Sequence, residues 1–394
     1  MAAGSVNPSD PLEPLVPADE FALRPDLIHL NHAAVGPWPQ RTVRAVAQFA
    51  ADNGHRGSLG FRDWEQREDA LRGSCRALIN APSADDIALV KSTSEGLSMV
   101  AFGVPWQPGD TVILPADEFP SNRIVWESLA RLKVATLPVR LNGDPDPEAA
   151  LIAAMDRAPQ PRLLTVSSVQ YGSGLRLDLA RLGQACAERE VLFCVDGIQS
   201  VGALVTDVQR IQADFLVADG HKWMLAPEGL ALFYCRAELR DLLRLYQYGW
   251  RMIEDAGAYD RKDWAPARTG RRFECGSPNN LGIHALHASL SLLHELGPER
   301  VERAVLARAR RLVALIDAAP ELELLSDPKR LAGIVTFRHR EASNSALHTH
   351  LVDHGVLCAQ RGGGVRLSPH CYVPPSQLER AIELACSTPD RPSR

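Results

Sequence analysis

Two residues that follow apolar runs carry the strongest chemical signal in this sequence. Lys222 lies in the segment Asp-Gly-His-Lys-Trp-Met-Leu at positions 219–225, and Asp196 ends an earlier apolar run. A lysine amine can bond covalently to an aldehyde, and a carboxylate can pair with a pyridine nitrogen. These side chains are the minimum equipment for chemistry with pyridoxal 5'-phosphate (PLP), a cofactor that withdraws electrons while the protein positions it. The pair therefore predicts a PLP-dependent enzyme with Lys222 and Asp196 as catalytic residues.

Alternating strands and helices in the first two thirds of the chain position these residues. Short apolar runs separated by amphipathic stretches predict a mainly parallel sheet covered by helices on both faces. The predicted strands are 87–90, 111–114, 134–139, 163–167, 191–195, 215–218 and 230–234. Ligands of such sheets bind at the carboxyl ends of the strands. We therefore expect one crevice to collect the side chains at or just beyond these ends, which are Ser94, Phe119, Gln170, Asp196 and Lys222.

The pattern changes after about residue 280, where two long helices precede strands near 333–337 and 365–367. A chain of 394 residues with 45% apolar content exceeds the size at which single cores usually divide. We predict a large cofactor-binding domain at residues 25–270 and a smaller C-terminal α/β domain at 271–394. Residues 1–24 carry prolines at 8, 11, 14 and 17 and predict an extended arm rather than a packed element, one able to wrap a neighbouring subunit.

Composition excludes several classes of partner. The net charge of -5, with no long basic run, gives no electrostatic footprint for nucleic acid or an anionic membrane. Neither a signal peptide nor about 18 consecutive apolar residues is visible, so we expect a cytoplasmic protein without a membrane partner. The eight cysteines are scattered without metal-binding spacing, which predicts neither a metal site nor a disulfide framework.

Six segments, in order along the chain, resemble motifs of the aminotransferase class-V family of fold-type I PLP enzymes. They are Lys-Ser-Thr-Ser-Glu-Gly (91–96), Asp-Glu-Phe-Pro-Ser-Asn (117–122), Val-Asp-Gly-Ile-Gln-Ser (195–200), Asp-Gly-His-Lys-Trp (219–223), Arg-Phe-Glu-Cys-Gly-Ser-Pro-Asn (272–279) and Arg-Leu-Ser-Pro-His (366–370). The resemblance implies the α/β fold-type I architecture, a large domain with a mainly parallel seven-stranded sheet plus a smaller C-terminal α/β domain. The family includes aminotransferases, cysteine desulfurases, selenocysteine lyases, kynureninases and isopenicillin N epimerase-like proteins, so the resemblance does not specify the substrate.

The resemblance also implies which residues hold the cofactor phosphate. Thr93 and Ser94 would open a helix whose free N–H groups form a phosphate seat, and His221 would contact the same phosphate. Ser277 matches a position that reaches the phosphate of the neighbouring subunit, which implies a homodimer with shared active sites. The alternatives are that Ser94 is only an N-cap and that His221 only packs a turn.

Other matched residues are implied to contact the cofactor ring or the substrate. Phe119 would stack on the ring, while Gln170 and Gln199 would lie near its phenolic oxygen. Arg366 is the candidate for holding a substrate carboxylate, because a guanidinium forms a bidentate pair and keeps its charge. Asn31 lies in a segment resembling the family's loop over the active site. A loop glutamine at 170 and a surface salt bridge at 366 are the alternatives.

Three departures from the desulfurase pattern stand out. Phe119 replaces a histidine that can move protons, so sulfur removal by that route is less expected. Asp219 stands where desulfurases generally have a serine that donates to the phosphate, and a carboxylate there would repel it unless turned away or paired. The tract from 358 to 366 is too short for the mobile loop with the persulfide cysteine, which predicts a structural role for Cys358.

The leading prediction is an enzyme that binds an α-amino acid as an external aldimine and removes its α-proton with Lys222. Transamination or C–S/β-elimination lyase chemistry is the expected outcome. The alternatives are an amino-acid epimerase of the isopenicillin N epimerase type and a PLP-binding protein without turnover. Retention of Lys222, Asp196 and Arg366 together argues against the last of these, because binding alone needs neither an electron sink nor a carboxylate clamp.

Overall fold

The structure, a computed structural model, describes residues 11–387, so positions 1–10 of the predicted arm and 388–394 of the predicted C-terminal domain lie outside it. The described strands are β1 Ile28–His29, β2 Ile87–Val90, β3 Thr111–Pro115, β4 Ala135–Val139, β5 Pro161–Ser167, β6 Leu192–Asp196, β7 Phe215–Asp219, β8 Ala231–Cys235, β9 Leu322–Leu324, β10 Val335–His339, β11 Val356–Leu357, β12 Ala359–Arg361 and β13 Gly364–Leu367. The described α-helices are α1 Gln40–Arg56, α2 Phe61–Leu78, α3 Thr93–Gly103, α4 Ser121–Glu127, α5 Pro147–Arg157, α6 Leu179–Glu188, α7 Asn280–Leu296, α8 Pro298–Asp317, α9 Asn344–Asp353 and α10 Pro375–Cys386.

A seven-stranded sheet in the order β2-β8-β7-β6-β5-β3-β4 forms the centre of the molecule. Strand β8 runs antiparallel to both of its neighbours, and the other six strands are parallel to one another. Every residue of β3, β6, β7 and β8 is buried, because helices cover both faces of the sheet. The predicted mainly parallel α/β fold is confirmed, and six parallel strands direct their carboxyl ends to one edge.

A second, four-stranded antiparallel sheet lies in the C-terminal part of the chain, in the order β12-β13-β10-β9. Its core joins strand residues such as Phe337 to Leu312 of α8, Leu347 of α9 and Leu378 of α10. A short parallel pairing of β1 with β11 connects the N-terminal part of the chain to this smaller unit. Strand β13 thereby brings Arg366 towards the edge where the large sheet ends.

Helix α7 packs with the large sheet rather than with the small one. Its residues Ile283, Leu286 and Leu290 join the core that contains the central strands, whereas the core of the smaller unit includes Leu312 and Ile316 of α8. The predicted smaller domain starts at residue 271 and would therefore include α7. Periodicity reveals that a helix has an apolar face, but not which sheet that face covers.

The described part of the N-terminal arm is packed against its own chain. Val16 and Phe21 are buried, and the ring of Phe21 stacks on that of Tyr372 with 3.7 Å between centroids. This corrects the prediction of an unpacked arm, because proline spacing indicates an extended backbone without showing what the apolar residues between the prolines contact. Within residues 11–387, no helix combines the length and apolar character that crossing a membrane requires.

Candidate active site

A cavity of about 350 Å³ opens at the carboxyl ends of the parallel strands, a volume typical of small-molecule sites. The predicted site residues that line it are Thr93, Ser94, Phe119, Asp196, Gln199, His221, Lys222 and Arg366. They come from five separate segments of the chain. The sheet topology therefore gathers residues more than 270 positions apart around one space.

Three predicted residues do not line this cavity. The amide nitrogen of Gln170 donates to Glu118 Oε1 at 3.0 Å, which holds the side chain outside the lining. Asn31 pairs through its backbone with Ser368, and the loop after it reaches the cavity only through two alanines. Ser277 is exposed and borders a different cavity of its own chain. Their proposed contacts with cofactor or substrate have no support from the geometry of a single chain.

Lys222 is buried in a turn that the N-terminal loop braces. The backbone N–H of Gly36 donates to the carbonyl of His221 at 2.8 Å, and any Cβ at position 36 would overlap the carbonyl oxygen of Lys222. The lysine Nζ lies 5.7 Å from the centroid of the Phe119 ring. Burial lowers the pKa of Lys222 to about 8, although Asp196 opposes the shift. The turn thus presents an amine that is readily neutral.

Asp196 is a buried carboxylate at the end of β6. Its Oδ1 accepts a hydrogen bond from the Ile198 N–H at 3.0 Å, so it also stabilises the turn after the strand. Burial raises the pKa of Asp196, the Ile198 N–H lowers it, and the nearby Glu118 raises it further. A carboxylate in this setting is stabilised by a cationic partner such as a pyridinium N–H.

The start of α3 meets the end of β7 beside the cavity. Gly96 allows this approach, because a Cβ there would come within 2.6 Å of Val217 Cγ1. The N–H of Thr93 donates to Asp219 Oδ2 at 3.3 Å. The buried Thr93 hydroxyl oxygen has no hydrogen-bond partner among residues 11–387. Free donors at a helix start of this kind suit a phosphate group.

Ser94 is not the N-cap of α3. That role belongs to Ser92, whose hydroxyl accepts from the Glu95 N–H at 3.3 Å. Ser94 lies two residues after this N-cap, and its hydroxyl donates to Ser121 Oγ at 2.8 Å. Ser94 and Ser121 both line the cavity, and because Ser94 donates its single hydroxyl hydrogen to Ser121, the hydroxyl hydrogen of Ser121 is the one available to a phosphate.

Gln199 is held firmly in the cavity wall. Its Nε2 donates to the carbonyl of Ala33 at 3.1 Å, and its Oε1 accepts from the indole N–H of Trp223 at 2.9 Å. An amide nitrogen carries two hydrogens, so one N–H stays available for a ligand. Phe119 forms the neighbouring wall, with the Tyr171 ring edge-on to it at 5.2 Å.

Two guanidinium groups face the cavity from the small sheet. Arg366 is buried on β13, where its Nη1 donates to the carbonyl of Tyr171 at 2.7 Å. Burial lowers the pKa of Arg366 to about 10, and the nearby Arg361 adds repulsion. Arg361 is exposed at the end of β12 and forms no ion pair with any of residues 11–387. This pair of cations offers binding places for anionic groups of a substrate.

Sequence reasoning missed two residues of this region. Arg361 contributes to the cavity although no motif marks it. Glu118 is buried behind Phe119, accepts from the Ser167 N–H at 2.6 Å and also binds the Ser167 hydroxyl. Burial raises its pKa. An acid three residues after a buried strand, and directly before the ring-stacking position, was the available signal for Glu118.

The residues present fit PLP in three respects. The buried carboxylate of Asp196 has no cation in direct contact among residues 11–387, the helix start at Thr93 offers an unpartnered hydroxyl, and Lys222 supplies an amine whose pKa burial lowers to about 8. These match the ring nitrogen, the phosphate and the aldehyde of the cofactor. The structure carries no such match for a metal, since no group of three or more His, Cys, Asp or Glu within residues 11–387 is placed to hold one.

The sequence profile of the aminotransferase class-V family matches residues 28–379. The chain belongs to this family. Family membership confirms the predicted fold-type I class, the PLP cofactor and the enzyme class. The matched residues cover almost the whole described chain. They include both sheets and the residues of the cavity between them.

Similar proteins include several cysteine desulfurases. A probable cysteine desulfurase from Methanothermobacter thermautotrophicus is 29% identical over 364 residues, which cover 90% of this chain and 87% of the relative. A cysteine desulfurase from Pectobacterium carotovorum is 31% identical over 360 residues, which cover 88% of this chain and 84% of the relative. Among solved structures, the cystine C-S lyase C-DES in complex with cysteine persulfide superposes with a TM-score of 0.86 at 22% identity, covering 92% of this chain and 98% of that one. The last likeness shows the shared fold.

Covalent capture of PLP by the cofactor-free protein is expected to accelerate as the pH rises through about 8 and then to level off. Burial lowers the pKa of Lys222 to about 8, and only the neutral amine attacks the aldehyde. An ordinary lysine, with a pKa near 10.4, would keep accelerating well beyond that pH. Stopped-flow absorbance after mixing with PLP measures the rate, and a continued rise up to pH 10 would contradict the lowered pKa.

Proposed function

We propose that this protein is a PLP-dependent C–S lyase that acts on a disulfide amino acid of the cystine type. The observation that carries the proposal is the cavity itself, which combines one amine, two guanidinium groups and a non-acidic aromatic wall. The cysteine desulfurases among its relatives and the cystine C–S lyase of similar fold support C–S bond cleavage.

Lys222 would act as the base at the substrate Cα. When bound, PLP supplies electron withdrawal from Cα, and Asp196 keeps its ring nitrogen protonated. The neutral Lys222 amine takes the α-proton, the Cβ–S bond breaks, and its electron pair leaves with sulfur. The carbon skeleton then takes up water and leaves as pyruvate and ammonia, while the rest of a disulfide substrate leaves as a persulfide. No external oxidant or reductant is required.

Phe119 favours a leaving group that needs no proton. Its ring lies beside Lys222 and has no acidic hydrogen to donate to a departing sulfur. A persulfide is a weaker base than a thiolate, because the second sulfur shares the negative charge. A disulfide substrate therefore suits this wall better than free cysteine does.

Transfer of sulfur to the enzyme's own cysteines has no support here. All eight cysteines lie within residues 11–387, and none of them lines the cavity. Cys358 is buried in the core of the small unit, and burial raises the pKa of its thiol to about 12. A thiol in that state is a poor nucleophile, which favours a lyase that releases its sulfur product over a desulfurase.

Arg361 and Arg366 together favour a substrate with two anionic groups. Arg366 is buried, has an unpaired Nε and suits the α-carboxylate next to the reacting carbon. Arg361 sits at the exposed rim, where it can meet a carboxylate at the far end of a longer substrate. Cystine carries both carboxylates and the disulfide.

Products formed by the holoenzyme from L-cystine and L-cysteine test the proposal. We expect equal amounts of pyruvate and ammonia, together with persulfide sulfur, and faster turnover of cystine. The Arg361→Gln variant should raise the KM for cystine about tenfold, as loss of a partly solvated charge-assisted pair does, and leave that for cysteine unchanged. Arg361→Lys keeps the positive charge, so it should raise the KM for cystine less than Arg361→Gln does.

Other products would contradict the proposal in distinct ways. Alanine with sulfur retained on the protein would indicate a desulfurase. A keto acid formed without ammonia, with the cofactor converted to its amine form, would indicate transamination. Formation of the opposite enantiomer with no bond cleavage would favour the epimerase alternative.

We further propose that the enzyme works as a homodimer with shared active sites. Ser277 is exposed and lies outside its own chain's cavity, where a second copy can receive it. A nearby segment exposes Tyr246, Tyr248 and Trp264, which are large aromatic surfaces that interfaces commonly bury. Sedimentation of the purified chain should give twice the monomer mass, and a monomer with full activity would contradict this proposal.

A further inference from the structure

We propose that Asp219 is a positioning residue that holds His221 as the cationic partner of the cofactor phosphate. The inference rests on the proposed phosphate seat at the start of α3. It assigns a favourable role to a carboxylate that would otherwise repel the phosphate. Three features of the described residues lead to it.

The first feature is the position of the Asp219 carboxylate. It ends β7, is buried and lines the cavity. Its Oδ2 accepts from the N–H of Thr93 at 3.3 Å, so it occupies the flank of the helix start where the phosphate is expected. Two anions near one helix start repel each other more strongly inside a protein than in water. Such an arrangement requires a compensating cation.

The second feature is the identity of that cation. His221 Nδ1 lies 3.0 Å from Asp219 Oδ1, and His221 is the one basic side chain within ion-pair distance of Asp219 among residues 11–387. The ring is not yet aligned for a hydrogen bond to this oxygen, and both atoms lack other partners in that part of the chain. Hydrogen bonds of active sites are often poorly aligned before ligands bind and tighten afterwards.

The third feature is the direction that this contact imposes on the imidazole. A proton on Nδ1 faces the carboxylate, which leaves Nε2 as the nitrogen available to the cavity that His221 lines. In the proposed complex the protonated imidazole of His221 donates Nε2–H to the phosphate in a charge-assisted hydrogen bond. Aspartate, histidine and phosphate form a chain of alternating charge.

The competing interpretation treats Asp219 as a simple helix-start ligand. In that case its charge only opposes the phosphate, and removing the charge strengthens cofactor binding whatever stands at position 221. The two interpretations differ in how Asp219→Asn changes PLP binding. In the competing interpretation the change strengthens binding in every background. In the proposed one it weakens binding when His221 is present and strengthens it when His221 is replaced.

A double-mutant cycle on the full chain measures the direction of this change. Cofactor-free protein with Asp219→Asn, His221→Gln or both changes is titrated with PLP and, separately, with pyridoxal, which lacks the phosphate. Asn keeps the shape of Asp and removes its charge. We expect Asp219→Asn alone to weaken PLP binding about tenfold, and the same change in the His221→Gln background to strengthen it.

Pyridoxal supplies the control for misfolding and for effects on the ring. None of the variants should change the dissociation constant of pyridoxal by more than about twofold, since the change acts on the phosphate alone. If Asp219→Asn strengthens PLP binding in both backgrounds, the inference is overturned while the phosphate seat stands. If His221→Gln leaves PLP binding unchanged, the phosphate does not contact His221, and the inference is overturned while the seat at the start of α3 stands.

Discussion

Replacing Lys222 with alanine is expected to lower turnover of every amino acid by about 10⁴-fold or more and to remove the visible absorbance of the bound cofactor. Lys222 is the only amine side chain that lines the cavity within residues 11–387. The two arginines there cannot replace it, because a guanidinium keeps its proton and is not a nucleophile. Absorbance spectra and product assays on the purified variant provide the measurement.

A matched control separates this effect from the loss of any lysine. Lys262 is exposed and lies outside the cavity, so Lys262→Ala should keep both the colour and the turnover. Persistent colour and activity in Lys222→Ala would mean that another amine holds the cofactor. That result would remove the basis of the proposed proton transfer at Cα.

Replacing Asp196 with asparagine is expected to lower turnover about 10²- to 10³-fold while leaving cofactor attachment intact. Asparagine keeps an oxygen for the Ile198 N–H, but it has no charge to keep the ring nitrogen protonated. The electron withdrawal at Cα weakens accordingly. Product assays together with the absorbance spectrum distinguish slow chemistry from lost cofactor.

Thermal unfolding gives an independent check on the Asp196 variant. Burial raises the pKa of Asp196 above its value in the unfolded chain, so ionisation of this group costs stability as the pH rises from the unfolded value through the folded one. At pH 7 the cofactor-free Asp196→Asn protein should therefore melt no lower than the original. Asp156→Asn, at an exposed ion pair, is the control. Full turnover in Asp196→Asn would contradict the role of its charge.

The central fold was predictable because its strands are buried apolar runs of strand length. Strand β2 matches the predicted bounds at both ends. Helix α1 was not predicted, and within it Thr42 is the buried residue. The short elements of the small unit depend on tertiary pairing, and local sequence carries little information about that.

The site was predictable where chemistry follows directly on a strand. Lys222, Asp196 and Thr93 share that property, and all of them line the cavity. Arg361 escaped notice because its place depends on how β12 pairs with β13, a contact set by long-range packing. Gln170 stands at a strand end as expected, yet its hydrogen bond to Glu118 decides where the amide lies. The positions of strand ends predict where a site lies, whereas hydrogen bonds between side chains determine which residues line it.

The brace between Gly36 and the lysine turn has a consequence for how the protein is made. The same loop also bonds to the far end of the chain, through His32 N–H to the Ser368 carbonyl at 3.2 Å and Ser368 N–H to the Leu30 carbonyl at 2.7 Å. The loop at residues 30–36 therefore finds partners that are made more than 330 residues later. A nascent chain cannot complete the surroundings of its reactive amine until Ser368 has been synthesised, which delays cofactor chemistry until that point.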